Sequence, residues 1–165
     1  MRILHPVWAF AMALSLSGLA QPVNALEAKH LFFEGDLVNN PVPGQASPGC
    51  VLKNQFMRKE SVAWRVRVLD QTGAALDDKG LKTVVVVLGN GQQIPMHYGP
   101  HPPQGQAVDT FWSMHWVIPA DFPTGSLGYK VVATLPDGTS ETWEPFKAKP
   151  SQLTVIAGEP TMKAN

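Results

Sequence analysis

Apolar and polar residues alternate along the chain in runs of strand length, and no run keeps the period of an α-helix for three turns. Residues 61–69, SVAWRVRVL, place Val62, Trp64, Val66 and Val68 on one face of a strand and two arginines on the other. Such alternation is typical of a strand with one buried and one exposed face. The chain is therefore predicted to be all-β.

Further apolar runs follow, separated by turn signals. Residues 83–88, TVVVVL, are apolar on both faces, which predicts a central strand covered on each side, and Asn90-Gly91 after them favours a tight hairpin. The other predicted strands are residues 31–33, 51–56, 92–98, 109–118, 127–135, 139–146 and 152–156. About seven to nine strands joined by short turns predict an antiparallel β-sandwich in which no helix exceeds two turns.

The inward-facing residues of these strands should form the core. The predicted core residues are Val62, Trp64, Val66, Val68, Val85, Val87, Val131 and Ala133, joined by Trp112, Met114 and Trp116. Trp112, Met114 and Trp116 belong to the core only if their side of the strand at residues 109–118 faces inward. The same facing would place Phe111, Ser113 and His115 on the outer side of that strand.

The C-terminal part of the chain contains IPADFPTGSLGYKVVATLPDGTSETWEPF, where a segment with proline and glycine leads into a tyrosine-containing strand and then a DG hairpin. This arrangement resembles the immunoglobulin-like sandwiches common in secreted bacterial proteins. The resemblance covers residues 118–156, and residues 58–91 match it more loosely. It implies an immunoglobulin-like antiparallel fold and, because it lies at the level of the fold, no catalytic residues.

The first 25 residues have the parts of a secretory signal peptide: Arg2, an apolar run over residues 7–20, and small residues at Val23 and Ala25. The apolar run is shorter than the roughly 20 residues that a membrane-spanning helix needs. Cleavage is expected after Ala25, or alternatively after Ala28. We therefore expect a periplasmic or secreted protein with no membrane span, in which residues 26–165 form a single β-sandwich domain.

Charge, cysteine content and missing motifs argue against several classes of function. The sequence has 13 Lys and Arg against 13 Asp and Glu and no extended block of either sign, so it lacks the basic surface expected of a nucleic-acid-binding protein. Cys50 is the single cysteine and has no partner for an internal disulfide. No CxxC, HExxH, CxxCH or GxSxG motif is present. We expect that the protein is not an enzyme.

Residues 95–103, PMHYGPHPP, hold two of the five histidines among four prolines. They are predicted to lie at the end of a strand and in the loop after it, where sandwich proteins usually place binding residues. Extended backbone would hold His97 and His101 roughly 12 Å apart, whereas a turn at residues 98–100 would bring them together. His115 would join them if the two strands are neighbours that face the same way.

Two functions compete for this segment. The first is an exported, non-enzymatic binding or accessory protein that contacts a protein partner through this loop, with Tyr98, Phe111 and Trp112 as contact residues. The second is a periplasmic protein that binds or delivers a metal ion of the copper type, because imidazole, thioether and thiolate groups suit copper. Its predicted ligands are His97, His101, His115, Met96 and Cys50.

A carbohydrate-binding module is a third possibility, in which an exposed Trp112 or Trp143 stacks on a sugar ring. The same residues also have ordinary structural explanations. Methionine fills gaps in cores, and a free cysteine is often a small buried apolar residue. A histidine in a turn or on a strand is often an exposed surface residue.

Overall fold

A computed structural model describes residues 30–41, 50–101, 105–106 and 108–158. The strands in these ranges are β1 (Phe32–Asn40), β2 (Gln55–Met57), β3 (Ser61–Leu69), β4 (Thr83–Leu88), β5 (Gln93–Pro95), β6 (His97–His101), β7 (Asp109–Val117), β8 (Gly125–Leu127), β9 (Tyr129–Thr134), β10 (Ser140–Trp143) and β11 (Leu153–Ile156). A single 3₁₀ turn, Lys149–Ser151, is the one helical element among them. The predicted all-β fold is confirmed, with eleven strands instead of seven to nine. The predicted signal peptide, residues 1–25, lies outside the described residues.

The strands form three sheets. The first sheet has the order β1–β3–β7–β6, and the second has the order β10–β9–β4–β5. A small third sheet has the order β2–β11–β8, in which β11 pairs with β2 in parallel. The other strand pairs are antiparallel. This arrangement is a β-sandwich, as predicted from the alternation and the turn signals.

One apolar core joins the sheets. Its largest fully buried side chains include Trp64 on the first sheet and Phe56 on the third. Trp64 meets Tyr129 of the second sheet edge to face, with 5.7 Å between the ring centroids. Aromatic pairs of this geometry add stabilisation beyond the area they bury. Trp64 and Tyr129 therefore connect the two large sheets across the core.

Most of the predicted core is confirmed. The buried members are Val62, Trp64, Val66, Val68, Trp112, Met114, Trp116, Val131 and Ala133. The prediction for Val85 and Val87 was wrong, because both are half-buried and the core face of β4 carries Val84, Val86 and Leu88. A run of valines shows no alternation, so the sequence did not reveal which face of this strand meets the core.

The predicted strand over residues 92–98 is two strands in different sheets. β5 pairs with β4 in the second sheet, whereas β6 pairs with β7 in the first. Between them Met96 is buried at 5 % exposure, and its backbone N–H donates to the Val84 carbonyl at 2.9 Å. Pro95 has no N–H to donate, which favours the end of β5 at this point. The chain thus crosses between the sheets at Met96.

None of the described residues belongs to a helix that is long and apolar enough to cross a membrane.

Candidate functional site: a cavity lined by histidines and a thiol

The pairing of β6 with β7 brings the predicted histidines onto one surface. His97 lies opposite Ser113, and His101 lies opposite Asp109. Strand alternation then places His97 and His101 on the same side of the first sheet as His115, opposite the buried side of β7. From the sequence, His115 was expected to join these histidines only if the two strands are neighbours and face the same way. The structure meets both conditions.

A cavity of about 540 Å³ opens on this outer face. Its lining includes Cys50, Arg65, His97, Tyr98, His101 and His115, and we call it the histidine–thiol cavity. The volume lies within the range of about 300–1,000 Å³ that is typical of ligand pockets. Four of the five predicted metal ligands thus line one cavity. Met96, the fifth, is not among the lining residues and lies in the core.

Cys50 is held in place by its backbone. Its N–H donates to the carbonyl of Asn39 at 3.1 Å, and the next N–H, of Val51, donates to the Asn39 side-chain oxygen at 2.9 Å. Cys50 has a φ of 56°, in the left-handed region. This conformation costs a residue with a Cβ about 1–2 kcal/mol. The fold accepts this strain at the residue that carries the thiol.

The thiol of Cys50 reaches the histidine at the far edge of the sheet. Its Sγ lies 3.7 Å from Nε2 of His101. Asn39, which anchors Cys50, is on β1, and β1 and β6 are the two edge strands of the first sheet. Edge strands of a flat four-stranded sheet would lie roughly 14 Å apart. The segment that carries Cys50 therefore brings its thiol across the outer face to the opposite edge.

Ion pairs reinforce the outer face beside the cavity. Arg65 donates two hydrogen bonds to the carboxylate of Asp36, at 2.7 and 2.6 Å. The hydrogen bond to Asp36 raises the pKa of Arg65 above its usual value, and the charges of Asp36, Cys50 and Asp109 act in the same direction. Arg65 is thus a fixed cation whose electrostatic surroundings include the Cys50 thiol.

The predicted aromatic contact residues differ in accessibility. Phe111 is 8 % exposed and lies against the His101 ring, with 5.0 Å between centroids. Trp112 is 5 % exposed, and its indole N–H donates to the Leu76 carbonyl at 2.9 Å. Tyr98 is half-buried against Trp112. Tyr98 is the most exposed of the three, but it lies opposite Trp112 in the strand register and packs against the core, on the side of the sheet away from His97 and His101.

The histidines are not gathered around one point. Residues four apart on a strand have Cα atoms roughly 13 Å apart, so His97 and His101 line opposite parts of the cavity. Within the described ranges no group of three or more His, Cys, Asp and Glu side chains is arranged to hold a metal ion. The close pair is Cys50 with His101. Such a pair can share a proton or supply a sulfur and a nitrogen to a soft ion.

The two predicted sugar-stacking residues differ in accessibility, since Trp143 lines a separate cavity beside the exposed Phe146. Trp112 belongs to the core, and Trp143 is half-buried with its ring 6.3 Å from that of Tyr129. Sequence reasoning did not single out Arg65 as a residue of the cavity, or Asn39 as the residue that anchors Cys50. Alternation indicated that Arg65 faces outward, but no local signal linked Asn39 to Cys50.

Comparison with known proteins gives no relative: no family model, no curated protein and no solved structure matches this chain.

Proposed function

We propose that the chain is an exported, non-enzymatic accessory protein with an immunoglobulin-like sandwich that binds a protein partner through the outer face of its first sheet. The observation that carries this proposal is the strained backbone at Cys50, which holds the thiol against His101 in the histidine–thiol cavity. Backbone strain of this kind is found preferentially at functional sites. A periplasmic or secreted location follows from the predicted signal peptide.

The surface around the cavity has the features of a protein interface. Val51 and Val117 are 50 % and 48 % exposed, and they lie next to Cys50 and two residues beyond His115 in the chain. Exposed apolar residues beside polar groups are typical of interaction sites. Among the described residues β6 is an edge strand of the first sheet, so a partner can approach this edge together with the cavity.

The contact set differs from the one predicted from sequence. The exposed His97 and His115 form it on the outer face, whereas Tyr98 lies on the core side of β6 opposite Trp112. Phe111 and Trp112 leave the set, because little of their own surface is accessible. This burial of Trp112 also favours a protein partner over a sugar ligand, which would need an exposed indole platform.

Site-specific photo-crosslinking tests the proposed surface. A photoreactive amino acid replaces His97 in one variant and Thr142, exposed on an edge strand of the second sheet, in a matched control. In cells that export the protein, we expect a discrete crosslinked product from position 97 and none from position 142. Excess Thr142→Ala protein should abolish the product in an envelope extract, whereas His115→Ala protein should compete less well, because His115 is exposed on the outer face. Equal products from both positions, or none from position 97, would reject the proposed surface.

A further inference from the structure

We propose that Cys50 and His101 form a binding site for a soft transition-metal ion, with Cu(I) as the ion that the pair fits best. The proposal shares the histidine–thiol cavity with the proposed function and deepens it by naming a ligand class. It is carried by the separation of the two donor atoms, by their chemistry and by their position in an accessible cavity.

The donor atoms are already at a distance that suits a shared ion. Zinc lies about 2.3 Å from a thiolate sulfur and about 2.0–2.1 Å from an imidazole nitrogen. At a tetrahedral angle these bond lengths place sulfur and nitrogen about 3.5–3.6 Å apart. The observed separation of Cys50 Sγ and His101 Nε2 is 3.7 Å. An ion with two ligands prefers a wider angle, and a linear arrangement with these bond lengths would place the atoms about 4.3–4.4 Å apart. The observed separation therefore lies between the tetrahedral and the linear limits.

The donor set selects for a soft ion of low coordination number. Thiolate sulfur favours Cu(I), zinc and iron–sulfur clusters, and imidazole favours copper and zinc. Structural zinc sites use four protein ligands, whereas a third ligand is not in place within the described ranges. Zinc held by this pair alone would lack two of the protein ligands of a structural site, and thiolate is among the ligands that select Cu(I). Copper(I) therefore matches this pair better than zinc does.

The position of Cys50 supports a ligand role over simple packing. The cysteine is exposed, so its side chain contributes nothing to the core. Its backbone is nevertheless fixed by hydrogen bonds to Asn39 in a conformation that disfavours a side chain. His97 and His115 line the same cavity and provide further nitrogen donors within it.

Competition for Cu(I) with a chromophoric chelator tests the site under anaerobic, reducing conditions. We expect the wild-type mature protein to bind one ion and to show a sulfur-to-copper charge-transfer band. Cys50→Ser and His101→Gln should each weaken binding by more than about 100-fold, because loss of even outer-shell partners of metal ligands costs about 10–100-fold. His30→Ala is the matched control, since His30 contacts Glu141 and is not among the residues lining the cavity, and it should bind as the wild type does.

Circular dichroism of each variant verifies folding, and a parallel titration with Zn(II) should show weaker binding than with Cu(I). Wild-type affinity no higher than that of Cys50→Ser would overturn the metal site, as would equal losses in His30→Ala. A crosslinked partner without copper binding rejects this inference alone. Copper binding without a crosslinked partner rejects the proposed partner surface alone.

Discussion

Tyr129 is the residue whose ionisation the fold changes most clearly. Its side chain is 8 % exposed and packs against Trp64. Burial raises the pKa of Tyr129 to about 12, and the charge of Asp36 acts in the same direction. The neutral phenol is therefore favoured in the folded state, while the unfolded chain ionises near the usual value of about 10.

This difference predicts a loss of stability at high pH. Below about pH 10 the phenol is protonated in both states, so Tyr129 adds no pH dependence. Between about pH 10 and about pH 12 the unfolded state loses the proton first, and the free energy of unfolding should fall by up to about 1.4 kcal/mol per pH unit. Tyr129→Phe should remove this contribution to the pH dependence of the free energy of unfolding. Urea unfolding across this range measures it, and a wild-type slope equal to that of the variant would contradict the assignment.

Among the residues of the cavity, the facing of a strand residue was predictable from the sequence, whereas the contact between Cys50 and His101 was not. The alternation of residues 109–118 correctly predicted that His115 lies opposite the buried face of β7. The contact of Cys50 with His101 joins residues 51 positions apart, and it depends on long-range strand pairing and on a left-handed backbone at a cysteine. Glycine would have signalled such a backbone, but cysteine does not.

At the scale of elements, β4 offers a direct test of which strand face meets the core. Val86 is fully buried, whereas its neighbour Val85 is half-buried on the other face. Val86→Ala should lower the free energy of unfolding by roughly 1–3 kcal/mol, because it leaves a cavity in the core. Val85→Ala is the matched control and should cost less than about 1 kcal/mol. Chemical denaturation gives both values, and a larger loss at Val85 would reverse the facing.

The buried face of a strand was predictable where apolar and polar residues alternate. β3 has the bounds predicted from sequence, since its alternation fixes both its extent and its buried face. β4 also has the predicted bounds, but its uniform valines left the facing open. The segment after it was predicted as one strand, because the apolar pattern does not show that the chain leaves one sheet and joins another.

At the scale of the whole molecule, the candidate site depends on the crossing between the sheets. β5 and β6 are separated by Met96 alone, so one residue links the second sheet to the edge of the first. The crossing makes β6 the neighbour of β7 and thereby brings His97 and His101 to the face that carries His115. Local sequence patterns do not encode such a long-range pairing. The sequence therefore predicted that the histidines meet only if these two strands are neighbours.

Met96 should therefore act as a core residue and not as a metal ligand. Met96→Ala should lower the free energy of unfolding by about 2–5 kcal/mol, because it removes a side chain that is 5 % exposed between the sheets. Met96→Leu nearly preserves the volume and should cost less than about 1.5 kcal/mol. Since Met96 does not line the cavity, Met96→Leu should also bind Cu(I) as tightly as the wild type. Denaturation measures the stability of both variants, and the chelator competition measures their copper affinity. If Met96→Leu is stable but loses copper as Cys50→Ser does, the thioether is a ligand. If Met96→Ala costs almost no stability, Met96 is not a core residue.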